Sequence, residues 1–306
     1  MKKYFYNSDE GRLRAGWRIL IFIMMFWLFS AMILAIKPLL GEISKKEFLE
    51  NYSIVILSIL AIGASIAVPL ARRLLDKRSF VSLGLKIDKS ATQDIVFGFF
   101  LSGLMAGLVF SLMIILGLIE YNGIKVGNSH ELNDQSSYFV RFMSVISIGS
   151  LSILLLETIL VGYWEELVFR GYLFQNMIAG MGMKLAIAIS CLIYGLIHST
   201  NPNAGLLSSS IIVLFGLLRI YGYLATKMLW LSIGMHIGWN FFQGPIFGYA
   251  ASGHKKATLI DQTATSPDWL SGGAFGPEGS VIVIPIIILA LLIIRWWSRR
   301  HHIKFE

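Results

Sequence analysis

Residues 95–119 form an unbroken run of 25 without a charged side chain. As a helix such a run spans about 37 Å at 1.5 Å per residue, more than the roughly 30 Å hydrocarbon core of a bilayer. Further apolar runs cover about 19–36, 52–71, 142–164, 183–198, 204–218, 228–249 and 280–297. Their apolar residues are continuous rather than alternating, which disfavours a membrane β-barrel. Of the 306 residues, 56% are hydrophobic and 14% charged, against roughly 25% charged in a soluble domain. So few polar groups cannot cover a soluble globule of this size, which excludes a soluble enzyme and a disordered chain. The lone cysteine, Cys191, excludes an intrachain disulfide framework and a cysteine metal cluster. The sequence therefore predicts an all-α fold. It is a polytopic helical membrane protein, a single integral membrane domain over 1–306 with about eight transmembrane helices.

Charge orients the spans. Residues 1–18, 72–94 and 295–306 each carry a net charge of +3, whereas 37–52, 120–141 and 249–279 carry 0, −1 and −1. Basic residues accumulate on the cytoplasmic side of membrane loops, so the alternation places both termini in the cytoplasm. The same rule accounts for the net charge of +8 without nucleic acid as a partner, since no basic stripe interleaved with aromatics stands outside those flanks. The basic start and the 19–36 run have the outline of a signal peptide. The run is longer than a usual signal core and no small-residue cleavage site follows, so it is read as a retained span. The runs at 183–198 and 204–218 are short, and the second is expected to end near Arg219. Residues 249–279, rich in Gly, Ser, Thr and Pro, are expected to form a flexible outer loop. Gly103 and Gly107 form a GxxxG, read as helix packing. The sequence contains no GxxxxGK[ST] to support a nucleotide-driven pump.

Ionisable side chains at membrane depth are costly and by default mark function. Here they are Glu157, Glu165, Glu166 and Arg170 around the fourth run, His198 closing the fifth, Arg219, and His236 with Asn240 in the seventh. On a helix Glu166 and Arg170 stand four apart with the acid first, the favourable order for an ion pair. Glu165 points about 100° away from Glu166. One carboxylate is then engaged and its neighbour is free to serve as a general base. A solvated helix end at the interface is the other reading of this stretch. Tyr194 and His198 share a helix face, as do His236 and Asn240. The second pair can donate hydrogen bonds to a developing oxyanion, or it can clamp two helices together. Glycines at 234, 238 and 244 allow close backbone approach around that face. Counted from a turn expected near 179–181 and from Lys227, the four polar residues lie about 14–26 Å along their helices, so they can meet near mid-membrane.

At these residues the sequence resembles the CPBP intramembrane protease family. It is also called the CAAX-protease and bacteriocin-processing, or Abi, family and includes the type II CAAX prenyl endopeptidases. The EExxxR motif is met by Glu165, Glu166 and Arg170. FxxxH is met by Tyr194, where Phe is usual, and His198; HxxxN/D is met by His236 and Asn240. These motifs occupy about 163–240. The resemblance implies an endopeptidase acting within the bilayer on membrane-associated or lipidated protein or peptide substrates that enter from the membrane lipid. It implies that Glu165 and His198 polarise a water, that His236 and Asn240 stabilise the oxyanion, and that Glu166 and Arg170 support the site. The cofactor is none or a divalent metal. A Glu and two His match the ligands of a catalytic zinc, which would be Glu165, His198 and His236, but HExxH is missing and the three lie on separate helices. Short loops and a compact chain fit a bacterial cell membrane. The alternative is a non-proteolytic membrane protein, either a bacteriocin immunity or regulatory factor, or a small-solute transporter with the same buried Glu and His as a proton relay. The inverted repeats and broken helices of a transporter are not evident in the sequence.

Overall fold

The computed structural model describes residues 2–36, 38, 44, 48, 52–124 and 148–301. The expected start of the fourth run at Phe142, most of the 37–52 and 120–141 segments, and Lys304 lie outside the described residues. The main helices are α1 (Ala15–Ile36), α2 (Ser53–Leu74), α3 (Lys89–Ile115), α4 (Ile148–Glu166), α5 (Phe174–Met181), α6 (Met183–His198), α7 (Leu206–Thr226), α8 (Trp230–Phe241) and α9 (Val283–His301). Two π-helical segments, Leu167–Leu173 and Phe242–Ile246, extend α4 and α8. Among the described residues, four stretches are long and apolar enough to cross a membrane: Ala15–Ile33 within α1, and all of α2, α3 and α7. α4 is interrupted by Glu157, Glu165 and Glu166, α9 ends in arginines, and α6 and α8 are shorter.

Local chemistry sets the helix ends. Asp88 caps α3 by accepting the Ala91 N–H at 3.1 Å, and that bond holds its carboxyl below the usual carboxylate range. Gly182, with φ of 80°, makes the turn between α5 and α6, one residue beyond its expected place. α7 does not stop at Arg219. It continues to Thr226, so Arg219 is an interior helical residue and only 3% exposed. An arginine in an apolar run reads as an interfacial end when its buried partners, which lie on other helices, are not visible.

Two antiparallel ribbons depart from the all-helical expectation: β1 (Tyr6–Asn7) with β2 (Arg12–Leu13), and β3 (Ile119–Ile124) with β4 (Ile260–Ala264). β4 lies within the segment expected to be a flexible loop, and that segment is folded. Buried Glu278 accepts the Trp239 indole N–H at 2.8 Å, the Ser252 N–H at 2.8 Å and the Ser252 hydroxyl at 2.6 Å. Asn201 donates to the Ser252 carbonyl at 3.1 Å. The glycines serve tight turns: Gly272 and Gly276 have φ of 84° and 96°, a region other residues seldom occupy.

Large apolar side chains cover much of the surface, while several charged ones are buried. Phe100, Leu196 and Leu292 are 63%, 67% and 61% exposed, while Arg18, Asp76, Glu166, Arg170, Arg219 and Glu278 are buried. An apolar surface with the charged groups held inside an apolar core suits a lipid solvent. Asp76 accepts from Arg18 at 2.9 Å, Arg72 at 2.7 Å and Asn176 at 3.2 Å, tying α1, α2 and α5 together.

α3 and α8 cross with their backbones in contact. A Cβ at Gly234 would stand 2.2 Å from the Ile95 oxygen, and one at Gly238 would stand 2.3 Å from the Phe99 oxygen. This crossing sets the height of His236 and Asn240. Gly103 of the GxxxG faces the Phe242 ring, where a Cβ would come within 2.7 Å. Gly234→Val is expected to push α8 off α3. Overpacking of this kind costs about 1–3 kcal/mol, and here both thermal stability and activity should fall. A variant that melts and turns over like wild type would mean that the crossing yields without moving the site.

Candidate active site

Glu165 and Glu166 stand in the last turn of α4, His198 ends α6, and α8 carries His236 and Asn240. Small residues bring these helices together. A Cβ at Gly162 of α4 would lie 2.7 Å from Ile237 Cγ1 of α8, and one at Gly195 of α6 would lie 2.6 Å from Val213 Cγ2 of α7. Glu165, His198, His236 and Asn240 consequently line one cavity of about 400 Å³, whose apolar wall includes Ile56, Leu57, Leu154, Val161, Trp164 and Ile197. The four residues expected to meet thus share one cavity wall.

Buried Glu166 is the hub. Its Oε1 accepts from Arg170 Nη1 at 3.2 Å and from His236 Nδ1 at 2.9 Å, with Arg219 Nε at 3.8 Å. The expected Glu166–Arg170 pair is present, although the backbone through Arg170 is π-helical rather than α-helical. Single π turns inside helices often mark functional sites. A carboxylate only accepts, so His236 carries a proton on Nδ1 and turns Nε2 toward Glu165 Oε2, 3.9 Å away.

Glu165 is not the free carboxylate expected. The Tyr194 hydroxyl donates to its Oε2 at 2.8 Å, and Arg219 Nη1 donates to that hydroxyl at 2.7 Å. The helical angle between Glu165 and Glu166 frees Glu165 only from its own helix; its partner arrives from α6. Reading Tyr194 as a substitute ring for Phe misses its hydroxyl, and the Tyr-for-Phe difference is the signal that could have found it. His198 Nδ1 lies 2.8 Å from the Tyr194 carbonyl oxygen. A carbonyl also only accepts, so Nδ1 carries the proton and Nε2 keeps a lone pair. Asn240 has no hydrogen-bond partner among the described residues, which leaves its amide available to the cavity. Glu157 lines the same cavity, where it accepts the Ser53 hydroxyl and pairs with Lys256 at 3.2 Å. His254 and Asn201 also line the cavity, and nothing in their sequence surroundings marks them.

A divalent metal on Glu165, His198 and His236 does not fit these positions. Among the described residues no group of three or more His, Cys, Asp or Glu side chains is arranged to hold one ion. The 3.9 Å between Glu165 Oε2 and His236 Nε2 is wide. Two ligands each about 2.0–2.1 Å from a tetrahedral ion stand roughly 3.3 Å apart.

Membrane-length apolar helices packed around a buried carboxylate–histidine cluster define an integral membrane protein with an internal polar site. Residues 147–242 match the family model described as Rce1-like, type II CAAX prenyl endopeptidase. The match supports a CAAX protease family assignment for this segment, which runs from α4 through α8 with every residue of the expected site inside it. No curated protein and no solved structure matches the chain significantly.

Proposed function

We propose that the protein is an intramembrane endopeptidase in which Glu165 and His198 activate a water and His236 and Asn240 hold the oxyanion. The observation that supports this most is the placement of two acceptors, Glu165 and His198 Nε2, with the Asn240 amide and His236 Nε2 on the wall of one largely apolar cavity. A water there directs one proton to Glu165 and the other to His198 Nε2. Its oxygen attacks the scissile carbonyl carbon as Glu165 takes the proton. The carbonyl oxygen becomes an oxyanion held by the Asn240 amide and by His236. Because Nδ1 of His236 is committed to Glu166, His236 donates from Nε2 only as the imidazolium, with Glu166 offsetting its charge. Collapse of the intermediate breaks the C–N bond, and Glu165 returns the proton to the leaving amine. No step uses a metal.

The apolar wall suits membrane-associated or lipidated peptide segments. In this reading α4, α6, α8 with its π extension, and α9 join the four long helices to give eight spans, with both termini cytoplasmic in a bacterial cell membrane. Cleavage of a membrane peptide by the purified protein, lost in Glu165→Gln, tests the proposal.

Asn240→Ala is expected to lower kcat by roughly 10²–10³, the usual effect of deleting an oxyanion donor, with KM little changed. Asn240→Asp should keep some activity where the acid is protonated, since it can then donate. A chelator should leave the wild-type rate unchanged. Loss of activity that tracks metal content would return the metal reading, and unchanged kcat with raised KM would assign Asn240 to substrate binding.

A further inference from the structure

We infer that Tyr194 and Arg219 form a relay that positions Glu165, so that the hydroxyl replacing the usual phenylalanine is part of the machinery of this chain. The inference rests on the peptidase reading above. Its direction follows from donor chemistry. A guanidinium only donates, and a phenol has one proton. With Arg219 Nη1 on the Tyr194 oxygen at 2.7 Å, the Tyr194 proton is committed to Glu165 Oε2 at 2.8 Å. Each member is held in turn. The Tyr194 ring lies under the Arg170 guanidinium, whose carbon is 4.1 Å from the ring centroid. Arg219 sits in mid-helix, and its carbonyl accepts the Ser232 hydroxyl of α8 at 2.6 Å. Glu165 is thereby fixed through one oxygen. Its Oε1 has no hydrogen-bond partner among the described residues, and its side chain is 13% exposed on the cavity wall. A carboxylate pinned at one oxygen presents the other at a set angle to the water. Phenylalanine at 194 would leave both Arg219 Nη1 and Glu165 Oε2 short of a partner, which is costly for buried groups.

A double-mutant cycle on kcat tests the relay, with KM and melting temperature measured on wild type, Tyr194→Phe, Arg219→Lys and the double variant. Tyr194→Phe is expected to lower kcat about tenfold, the size of one hydrogen bond to a charged group acting in the transition state, with KM close to wild type and a lowered melting temperature because two buried groups lose their partner. Arg219→Lys should lower kcat in the wild-type background and change it less than about twofold once Tyr194 is Phe, because coupled residues are not additive. Wild-type kcat in Tyr194→Phe, or additive effects in the double variant, would overturn the relay. A purely structural tie would move the melting temperature and leave kcat per folded molecule unchanged. If Arg219→Lys does not fold, the kcat, KM and melting temperature of Tyr194→Phe decide alone. Glu165→Gln is assayed alongside. An active Glu165→Gln sinks the peptidase reading itself, whereas an inactive one beside an unimpaired Tyr194→Phe sinks only the relay.

Discussion

Glu165→Gln is expected to abolish peptide hydrolysis while leaving thermal stability close to wild type. Gln keeps the volume of Glu and a carbonyl oxygen that accepts the Tyr194 hydroxyl, so the hydrogen bond from α6 survives. What is lost is the basic oxygen that takes the proton from water. General base catalysis contributes about 10²–10⁴ in rate, enough to carry a slow intramembrane hydrolysis below detection. Stability should hold because Glu165 is not the carboxylate buried among arginines; Glu166 is. The check is turnover of a membrane peptide by purified wild-type and variant protein, with melting curves on the same preparations. Wild-type turnover by the variant removes Glu165 from the mechanism. A collapsed melting temperature would mean that its charge, rather than its hydrogen bond to Tyr194, holds α4 against α6.

The parts of the site legible in the sequence are those set by spacing along one helix. Glu166 with Arg170, Tyr194 with His198, and His236 with Asn240 each stand four apart, and each pair shares a face. The small residues at 234 and 238 likewise announce a close crossing, and they make one. Contacts between helices are not legible. Tyr194 meets Glu165 across 29 positions, Arg219 meets Tyr194 across 25, and Trp239 meets Glu278 across 39. Periodicity carries no information about which face of one helix opposes which face of another. Arg219 reads as a helix end for the same reason: its burial depends on acceptors from α4 and α6. Residues 249–279 read as loop because turn-forming residues dominate them. Their order comes from one buried acid, Glu278, and from pairing of β4 with β3, neither of which leaves a local pattern.

Arg170→Ala is expected to cost about 3–5 kcal/mol of stability, more than any substitution at Glu165, because breaking a buried pair strands the remaining charge. Arg170 and Glu166 are both buried, and the shared bond is 3.2 Å. Truncation also empties the space over the Tyr194 ring, where the guanidinium now stacks. Two groups remain near Glu166 to limit the damage: His236 Nδ1 at 2.9 Å and Arg219 Nε at 3.8 Å. The pair itself is incompletely satisfied, since Arg170 Nε and Nη2 and Glu166 Oε2 are buried without hydrogen-bond partners. It therefore recovers only part of its desolvation. Removing both charges at once, as in Glu166→Gln with Arg170→Met, should lose less stability than Arg170→Ala alone. An apolar or neutral pair of similar volume avoids the uncompensated ion. Activity should not recover with stability. The amide introduced by Glu166→Gln can accept the His236 N–H but cannot offset the imidazolium that the oxyanion role requires. Denaturation of the two variants in one detergent, with turnover measured on each, separates the effects. Wild-type stability in Arg170→Ala would show that His236 and Arg219 suffice to hold Glu166. Recovered turnover in the double variant would show that His236 works without a carboxylate behind it.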